Sequence, residues 1–418
     1  MKRNIIYNVV VAALVLFSVG ACDDDNDIGG GGTPVVRYVR PVDVEASDSL
    51  LSSAYLGTKI AIIGESLRGV NKIYFNDQKA SLNPNFVTDN AIIVSIPNTI
   101  PEMKEDIIKL YTSNDSAYYS FEARVPAPKA NSMACEYLEV GDVAHIEGLY
   151  FVNDETSPLT VTFTGGVQGE IESSDVNNIY VTVPEGAEIG PVTVASIYGS
   201  EESSFHFRDN RNIILDFDTE YPDYGYYFGW HGGVGTATED GISDSYLIFS
   251  GEMADDIWDD TNFGYERWTY LSDDPDFFDT DNVEDQALKF EVSIPEVWSA
   301  GAFQVIFTGA DDVMLNWQNG NGLTFNPDWG NANDYVGDGT WPRALWVPWA
   351  ETGEFQTEGW ITVTIPMTEF KYNGSGGEVP MKGAGHYSGI TLFVNGGGVT
   401  GTPCNPVFHI DNVRIVPN

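Results

Sequence analysis

The chain repeats itself, and that repeat limits the architectures open to it. Gly57-Thr58-Lys59-Ile60-Ala61-Ile62-Ile63-Gly64 returns as Gly141-Asp142-Val143-Ala144-His145-Ile146-Glu147-Gly148, with glycine, isoleucine and glycine at the same spacing. Ile92-Ile93-Val94-Ser95-Ile96-Pro97 returns as Ile179-Tyr180-Val181-Thr182-Val183-Pro184, and Ser120-Phe121 before Arg124 as Ser204-Phe205 before Arg208. The offset stays between 84 and 87 residues, so two homologous units of that size follow one another. Inside each, short alternating runs such as Lys59 to Ile63, Lys72 to Phe75 and Ile179 to Val183 are broken by Gly, Asn, Asp and Pro. That is the pattern of antiparallel strands with one buried face. We predict immunoglobulin-type β-sandwiches over residues 35–125 and 126–209. The joint between them, VPAP at residues 125–128, holds two prolines and is expected to be stiff.

A change of composition follows Arg208. All ten tryptophans lie between Trp230 and Trp360, and the two repeated units contain none. The block from residue 210 to 418 is again strand-rich, with no sustained helical period. Its candidate strands are Asn212 to Phe217, Tyr246 to Ser250, Leu288 to Ile294, Ala302 to Phe307, Trp360 to Ile365, Gly389 to Val394 and Val407 to Val416. With further strands in the remainder, this predicts a larger two-sheet β-sandwich of jelly-roll type, so the chain as a whole reads as all-β.

The N-terminus speaks to location. Lys2 and Arg3 precede an apolar run from Val9 to Val19, and SVGAC ends at Cys22. A positive start, a short apolar stretch and small residues before a cysteine predict a cleaved signal over residues 1–21, with Cys22 as the lipidation site. DDDND and a glycine run then make residues 22–34 an acidic, flexible tether. With Cys22 used, Cys135 and Cys404 remain, far apart and without metal-type spacing; they are expected to be free thiols. Sixty-two acidic against twenty basic side chains give a formal charge of −42, which repels a phosphate backbone and excludes nucleic acid as a partner.

Concentrated tryptophan has a chemical use. A pyranose ring has an apolar C–H face and a rim of hydroxyls, so it stacks on an indole and bonds to flanking Asp, Asn, Gln and Arg. Between Asp311 and Trp349 aromatic and polar residues alternate closely: Trp317, Trp329, Tyr335, Trp341, Arg343, Trp346 and Trp349 are the candidate glycan-binding residues. Pro342 and Pro348 place WPRALWVPW in a loop or on a sheet edge, with the rings held in a fixed display. Trp349 has an alternative role as an anchor to the sandwich. YGYYFGWHGG, residues 224–233, is a second aromatic candidate. In GWITVTIPM the Ile361, Val363 and Ile365 face is the buried one, which puts Trp360 on the other face with Thr362 and Thr364. Trp258 and Trp298 read as structural.

Two resemblances extend this reading. The order PxVxxVxP, GxxxxIxG, IxF and IxVxxP in the repeated units resembles the IPT/TIG family of immunoglobulin-like scaffolds. The whole arrangement of lipobox, DDDND run, tandem modules, proline joint and tryptophan-bearing segment ending in GWITVTIP resembles surface glycan-binding lipoproteins of Bacteroidota polysaccharide-utilisation systems, within them the xyloglucan-binding group. The resemblance implies a non-catalytic protein anchored by Cys22 to the outer face of the outer membrane. It would capture a neutral plant-type β-glycan for a neighbouring outer-membrane transporter complex and require no cofactor. Carbohydrate-binding jelly rolls also imply a structural calcium between first and last strands, for which Asp216, Asp218 and Asp411 are the candidate ligands. Alternatively, Asp411 and Asn412 simply shape the last strand. Two other readings stay open: a glycoside hydrolase, for which Glu291 and Glu296 flank a strand without a recognisable motif, and a structural adhesin or spacer.

Overall fold

The computed structural model describes residues 32–418 except 44, 47, 219–224, 230–231, 254–262, 270–272, 311–312, 316–322, 326–341, 375 and 396–398. Its regular structure is β-strand, with only short 3-10 turns between strands among the described residues. The chain up to Val125 forms one compact unit and Pro126–Asn418 another.

In the first unit, Val35–Pro41, Lys59–Glu65 and Ala91–Ser95 form one sheet. Gln78–Lys79, Lys72–Phe75, Ile107–Tyr111 and Ser116–Ser120 form the other. Ile60, Ile62, Ile73, Phe75, Ile92, Val94, Ile108, Leu110 and Phe121 fill the space between them. The repeat explains its own glycines. Gly57 and Gly141 both have positive φ, 77° and 96°, a conformation that costs other residues dearly. Gly64 pairs with Val36, and Gly148 with Ala130, each next to a bulge in the opening strand. A Cβ at Gly64 would run into the carbonyl oxygen of Val35, and one at Gly148 into that of Lys129. The spacing conserved between the copies is thus the spacing of a left-handed turn and a close strand approach.

The second unit begins with the other repeat. Lys129–Met133, Val143–Leu149, Asn178–Thr182 and Glu170–Ser174 face Val167–Gln168, Thr160–Thr164, Glu188–Ser196 and Gly199–Phe207. Ile146, Phe163, Ile179, Val194 and Phe207 are among its buried residues.

The larger sandwich follows. One sheet runs Gly232–Ala237, Tyr246–Gly251, Val407–Pro417, Gln286–Ser293 and Ile361–Pro366, with Ile213–Leu215 also paired to Val407–Pro417. The other runs Gly225–Gly229, Phe263–Arg267, Gly389–Asn395, Ala302–Thr308 and Arg343–Trp346. Consecutive strands cross repeatedly from one sheet to the other, and a single apolar core that includes Phe249, Phe290, Trp298, Phe303, Leu392, Phe408 and Ile410 lies between them. The seven strands expected from alternation are all present. Gly225–Gly229 falls inside the 224–233 run read as a second aromatic candidate, Gly232–Ala237 begins in it, and the two strands form one edge of each sheet.

The second immunoglobulin-like module and this sandwich are joined by buried charge. Arg414 donates through Nη1 to Glu291 Oε2 at 2.7 Å and through Nη2 to Glu136 Oε2 at 2.7 Å and Glu291 Oε1 at 3.0 Å. Lys289 pairs with the other oxygen of Glu136, and the Arg414 guanidinium lies 5.2 Å from the centre of the Tyr137 ring. Thr362 extends the junction: its amide donates to the Ala134 carbonyl at 2.8 Å, and its hydroxyl accepts from the Glu136 amide at 2.7 Å. Glu136, Glu291, Lys289 and Arg414 are all buried. Their two positive and two negative charges cancel, and this makes burial tolerable. Arg414→Met is expected to cost about 3–5 kcal/mol, because it leaves Glu291 buried without a cation and Glu136 with Lys289 alone. Tryptophan fluorescence during chemical denaturation of the full chain reads this, since all ten tryptophans fall between residues 230 and 360 and Trp268, Trp298 and Trp349 are buried in the sandwich core.

Candidate functional site

The aromatic segment is rooted in two neighbouring strands. Ala302–Thr308 and Arg343–Trp346 pair antiparallel, with Phe303 opposite Trp346 and Ile306 opposite Arg343. Arg343–Trp346 is the last strand of its sheet, so the proline-flanked stretch does lie on an edge. Because the strands are adjacent and antiparallel, the segment from residue 309 to 342 leaves and returns at the same end of one sheet edge. Within it, Val313–Leu315 pairs with Leu323–Phe325. Trp317, Trp329, Tyr335 and Trp341 fall on this segment and lie outside the described residues, as do Trp230, Trp258 and Cys22.

The remaining three candidates are corrected by their placement. In Arg343–Trp346 alternation points Ala344 and Trp346 toward the core. Trp346 is half-buried, with ring centres of Trp298, Phe355, Phe290 and Phe303 at 5.4, 5.7, 5.9 and 6.2 Å. Pro348 opens a 3-10 turn that carries Trp349 inward, where it is 5% exposed and its Nε1 donates to the Gly301 carbonyl at 2.9 Å. The prolines therefore direct these rings into the sandwich, and the anchoring role is the one Trp349 has. Arg343 is fully buried on the opposite face, and its Nη1 donates to Gln304 Oε1 at 3.0 Å. Arg343 and Trp349 offer no surface to a sugar, and Trp346 has most of its ring against the core.

Other tryptophans sort the same way. Trp298 is buried, with Nε1 donating to the Ala300 carbonyl at 2.6 Å. Trp268 belongs to the core. Val363 and Ile365 face the core as expected, and the opposite face of their strand is covered by the second immunoglobulin-like module through Thr362. Trp360, half-buried, packs edge-on to Tyr246 at 5.3 Å and donates to the Asp240 carbonyl at 3.1 Å.

Strand alternation reveals a feature that the count of aromatics hid. On the side of the five-stranded sheet opposite Phe303, Val305 and Phe307, the register lines up Glu266, Thr391, Ile306 and Arg343 in one row. Gln304 stands in the adjoining row, opposite Phe393 and Leu345. Glu266, Thr391, Arg343 and Gln304 are nonetheless buried. Their signal in the sequence is a polar residue at alternate positions of otherwise apolar runs: FGYER, AFQVIFT and GITLF. The row spans three strand spacings, about 14 Å, and Arg343 lies at the root of the segment that carries Trp341. Charged and amide groups held in fixed positions there give that root a defined geometry.

The carboxylates sort into structural roles. Glu291 is buried, and Arg414 and Thr362 bond its two oxygens. Glu296 is exposed. Asp218 accepts from the Ser245 amide at 2.6 Å, Asp216 from the Asp218 amide at 3.1 Å, and Asp411 from Ser243 Oγ at 2.6 Å and the Asn412 amide at 2.8 Å. Among the described residues no group of three or more His, Cys, Asp or Glu side chains is placed to hold a metal. Burial pushes Asp411 up to about 8, against the bonds from Ser243 and Asn412 and with help from the Glu291 and Asp218 charges. Asp411 and Asn412 lie in the last strand, where Asn412 has φ 50°. Cys135 is a free, buried thiol that burial pushes up to about 12, and Cys404 is also free.

Two outcomes follow. Trp349→Phe is expected to lose about 1–3 kcal/mol of stability, through a smaller ring and a lost hydrogen bond, without changing retention of the folded protein on a polysaccharide. For Asp411, the folded value near 8 exceeds the ordinary 3.8. Its contribution to stability is therefore complete below about pH 4 and lost as pH rises through about 8, by at most about 1.4 kcal/mol per pH unit. Asp411→Asn is expected to unfold at higher denaturant than the parent at about pH 9, and to show a smaller fall in midpoint between about pH 6 and pH 9.

Comparison with known proteins agrees with this architecture. A family model described as the surface glycan-binding protein B xyloglucan binding domain matches residues 207–417, the whole of the larger sandwich. The chain is similar to an IPT/TIG domain-containing protein of Bacteroides ovatus, 27% identical over 245 residues, which are 53% of this chain and 48% of that protein. It thus spans about half the length of that relative. The crystal structure of the surface glycan-binding protein PbSGBP-B from Prevotella bryantii is 30% identical, with a TM-score of 0.78, and the match covers 92% of this chain and 99% of that one. The chain belongs to the family of surface glycan-binding proteins B.

Proposed function

We propose that this chain is a non-catalytic protein of the cell surface that captures a neutral β-glycan, xyloglucan being the first to test, through its C-terminal β-sandwich. The observation that carries the reading is the coincidence of three boundaries. The family match at 207–417, the sandwich core and all ten tryptophans occupy the same stretch of chain. Trp268, Trp298 and Trp349 pack in that core, Trp346 against it and Trp360 on Tyr246; of the other tryptophans, Trp317, Trp329 and Trp341, with Tyr335, are the rings assigned to the sugar platform. Their segment is rooted on a sheet edge braced by the buried row of Arg343, Gln304, Thr391 and Glu266. Xyloglucan is favoured because the matching family model bears that description.

A catalytic role finds no support among the described carboxylates, since the strand glutamate Glu291 is committed to Arg414. The reading requires no cofactor. Lipidation at Cys22, display on the outer face of the outer membrane and delivery to an outer-membrane transporter complete it. They rest on the MKR…SVGAC-DDDND leader and on the family's surface role.

Electrophoresis of the full mature chain through native gels cast with xyloglucan, mixed-linkage β-glucan, mannan and a polyuronate tests the reading. Retardation by a neutral β-glucan without release of reducing sugar is expected. Retardation by none contradicts it, and release of reducing sugar establishes an enzyme. Trp317→Ala, Trp329→Ala and Trp341→Ala are each expected to weaken binding by about 1–2 kcal/mol, roughly tenfold, with unchanged stability.

A further inference from the structure

The first immunoglobulin-like module carries a polar cavity that the glycan reading leaves without a task. Alternation along Lys72–Phe75 and Ile107–Tyr111 sends Ile73, Phe75, Ile108 and Leu110 into the core. Lys72, Tyr74, Lys109 and Tyr111 are left on the solvent-facing side. There the register sets Lys72 opposite Tyr111 and Tyr74 opposite Lys109. With Asn76 and Asp77, from the turn that follows Phe75, they line a cavity of about 340 Å³. That volume lies within the range of small-molecule sites, about 300–1,000 Å³.

Two lining groups are unsatisfied in complementary ways. Asn76 is 1% exposed and adopts a left-handed conformation with φ 56°. Its Oδ1 accepts from the amides of Glu105 and Ile107, each at 3.3 Å, which fixes the orientation of the side-chain amide. Its Nδ2, a donor, has no hydrogen-bond partner among the described residues. Asp77 Oδ2 accepts from the Glu102 amide at 3.0 Å, whereas its buried Oδ1 has no such partner. Lys109 is held by Glu105, and Lys72 stands exposed at the rim.

A buried donor and a buried acceptor on adjacent residues, each without a partner, are costly to maintain. A hydroxyl group can give as well as take, so neighbouring hydroxyls of a pyranose supply both kinds of partner, reached by a small rearrangement of the Asn76 and Asp77 side chains. Tyr74 and Tyr111, whose rings meet edge to face at 5.8 Å, add the flat apolar surface on which a sugar's C–H face packs. An anionic group would meet the Asp77 carboxylate. We propose that this cavity is a second saccharide-binding site, taking one or two neutral pyranose rings on the first immunoglobulin-like module. The class of ligand rests on the glycan-binding reading, but no residue of the C-terminal sandwich takes part.

The test follows the side-chain amide of Asn76 by NMR in the full mature chain, titrated to millimolar concentration with xylogluco-oligosaccharide, cello-oligosaccharide, manno-oligosaccharide and glucuronate. The expected result is a saturable shift of both Asn76 side-chain N–H signals with a neutral sugar. The shift is lost in the Lys72→Ala/Tyr74→Ala double variant and weakened several-fold in Lys72→Ala, an exposed position that spares the fold. Both variants keep full retardation in polysaccharide gels. A chain retarded by β-glucan whose Asn76 signals stay fixed with every neutral sugar overturns the second site and leaves the C-terminal reading intact. Signals that move with glucuronate alone overturn the assignment to a neutral saccharide. A chain neither retarded nor shifted overturns both proposals.

Discussion

One guanidinium holds two domains together. Arg414, from the last strand of the sandwich, grips Glu291 of the neighbouring strand and Glu136 of the second immunoglobulin-like module, and Lys289 closes the set. Charges so deeply buried are tolerated only as a balanced group, so each partner fixes the others. Burial raises Glu291 above the ordinary carboxylate range, while the charge and hydrogen bonds of Arg414 pull it back down. The consequence reaches past the ion pairs. The Thr362 face of the adjoining strand, free to be a binding surface in an isolated jelly roll, is here spent on docking the module. The proposed function accordingly uses the other sheet's edge, at the strand Arg343–Trp346 and the segment rooted there.

The division of labour among the tryptophans follows from the same layout. A two-sheet core of this size needs large rings, and Trp298, Trp346 and Trp349 supply them around Phe290, Phe303 and Phe408. Each of the two buried rings among them, Trp298 and Trp349, also spends its indole N–H on a backbone carbonyl. A buried indole satisfied in this way is a structural part. Trp317, Trp329 and Trp341 lie outside the described residues, and the proposed function assigns the stacking surface to them.

Much of the fold could be read from the sequence because its signals are local. Alternation located strands such as Lys72–Phe75 and Ala302–Thr308 nearly to the residue, since a half-buried strand has to alternate. The repeat was legible because a left-handed glycine and a close strand approach each tolerate one residue type. The site was less legible, for physical reasons that Trp349 and Arg343 illustrate. Whether a ring next to a proline points inward depends on the turn that the proline starts and on which sheet face lies behind it, and neither is encoded in the neighbouring residues. Arg343 looked like a sugar ligand by its company, yet its partner Gln304 lies on another strand. The pairing of Glu136 with Arg414 joins residues 278 positions apart and leaves no local trace. The polar row of Glu266, Thr391 and Gln304 was visible in principle as polar residues at alternate positions, but it gains meaning only once the register sets the strands side by side.

The account turns on the second immunoglobulin-like module and the sandwich being one cooperative body. Differential scanning calorimetry of residues 126–418 tests this most directly, because the calorimetric and van't Hoff enthalpies agree only when a unit melts as a whole. The account predicts one transition with matching enthalpies, spanning both the tryptophan-free module and the tryptophan-bearing sandwich. Two resolved transitions, with the module melting apart from the sandwich while Arg414 and Glu136 are intact, would contradict it.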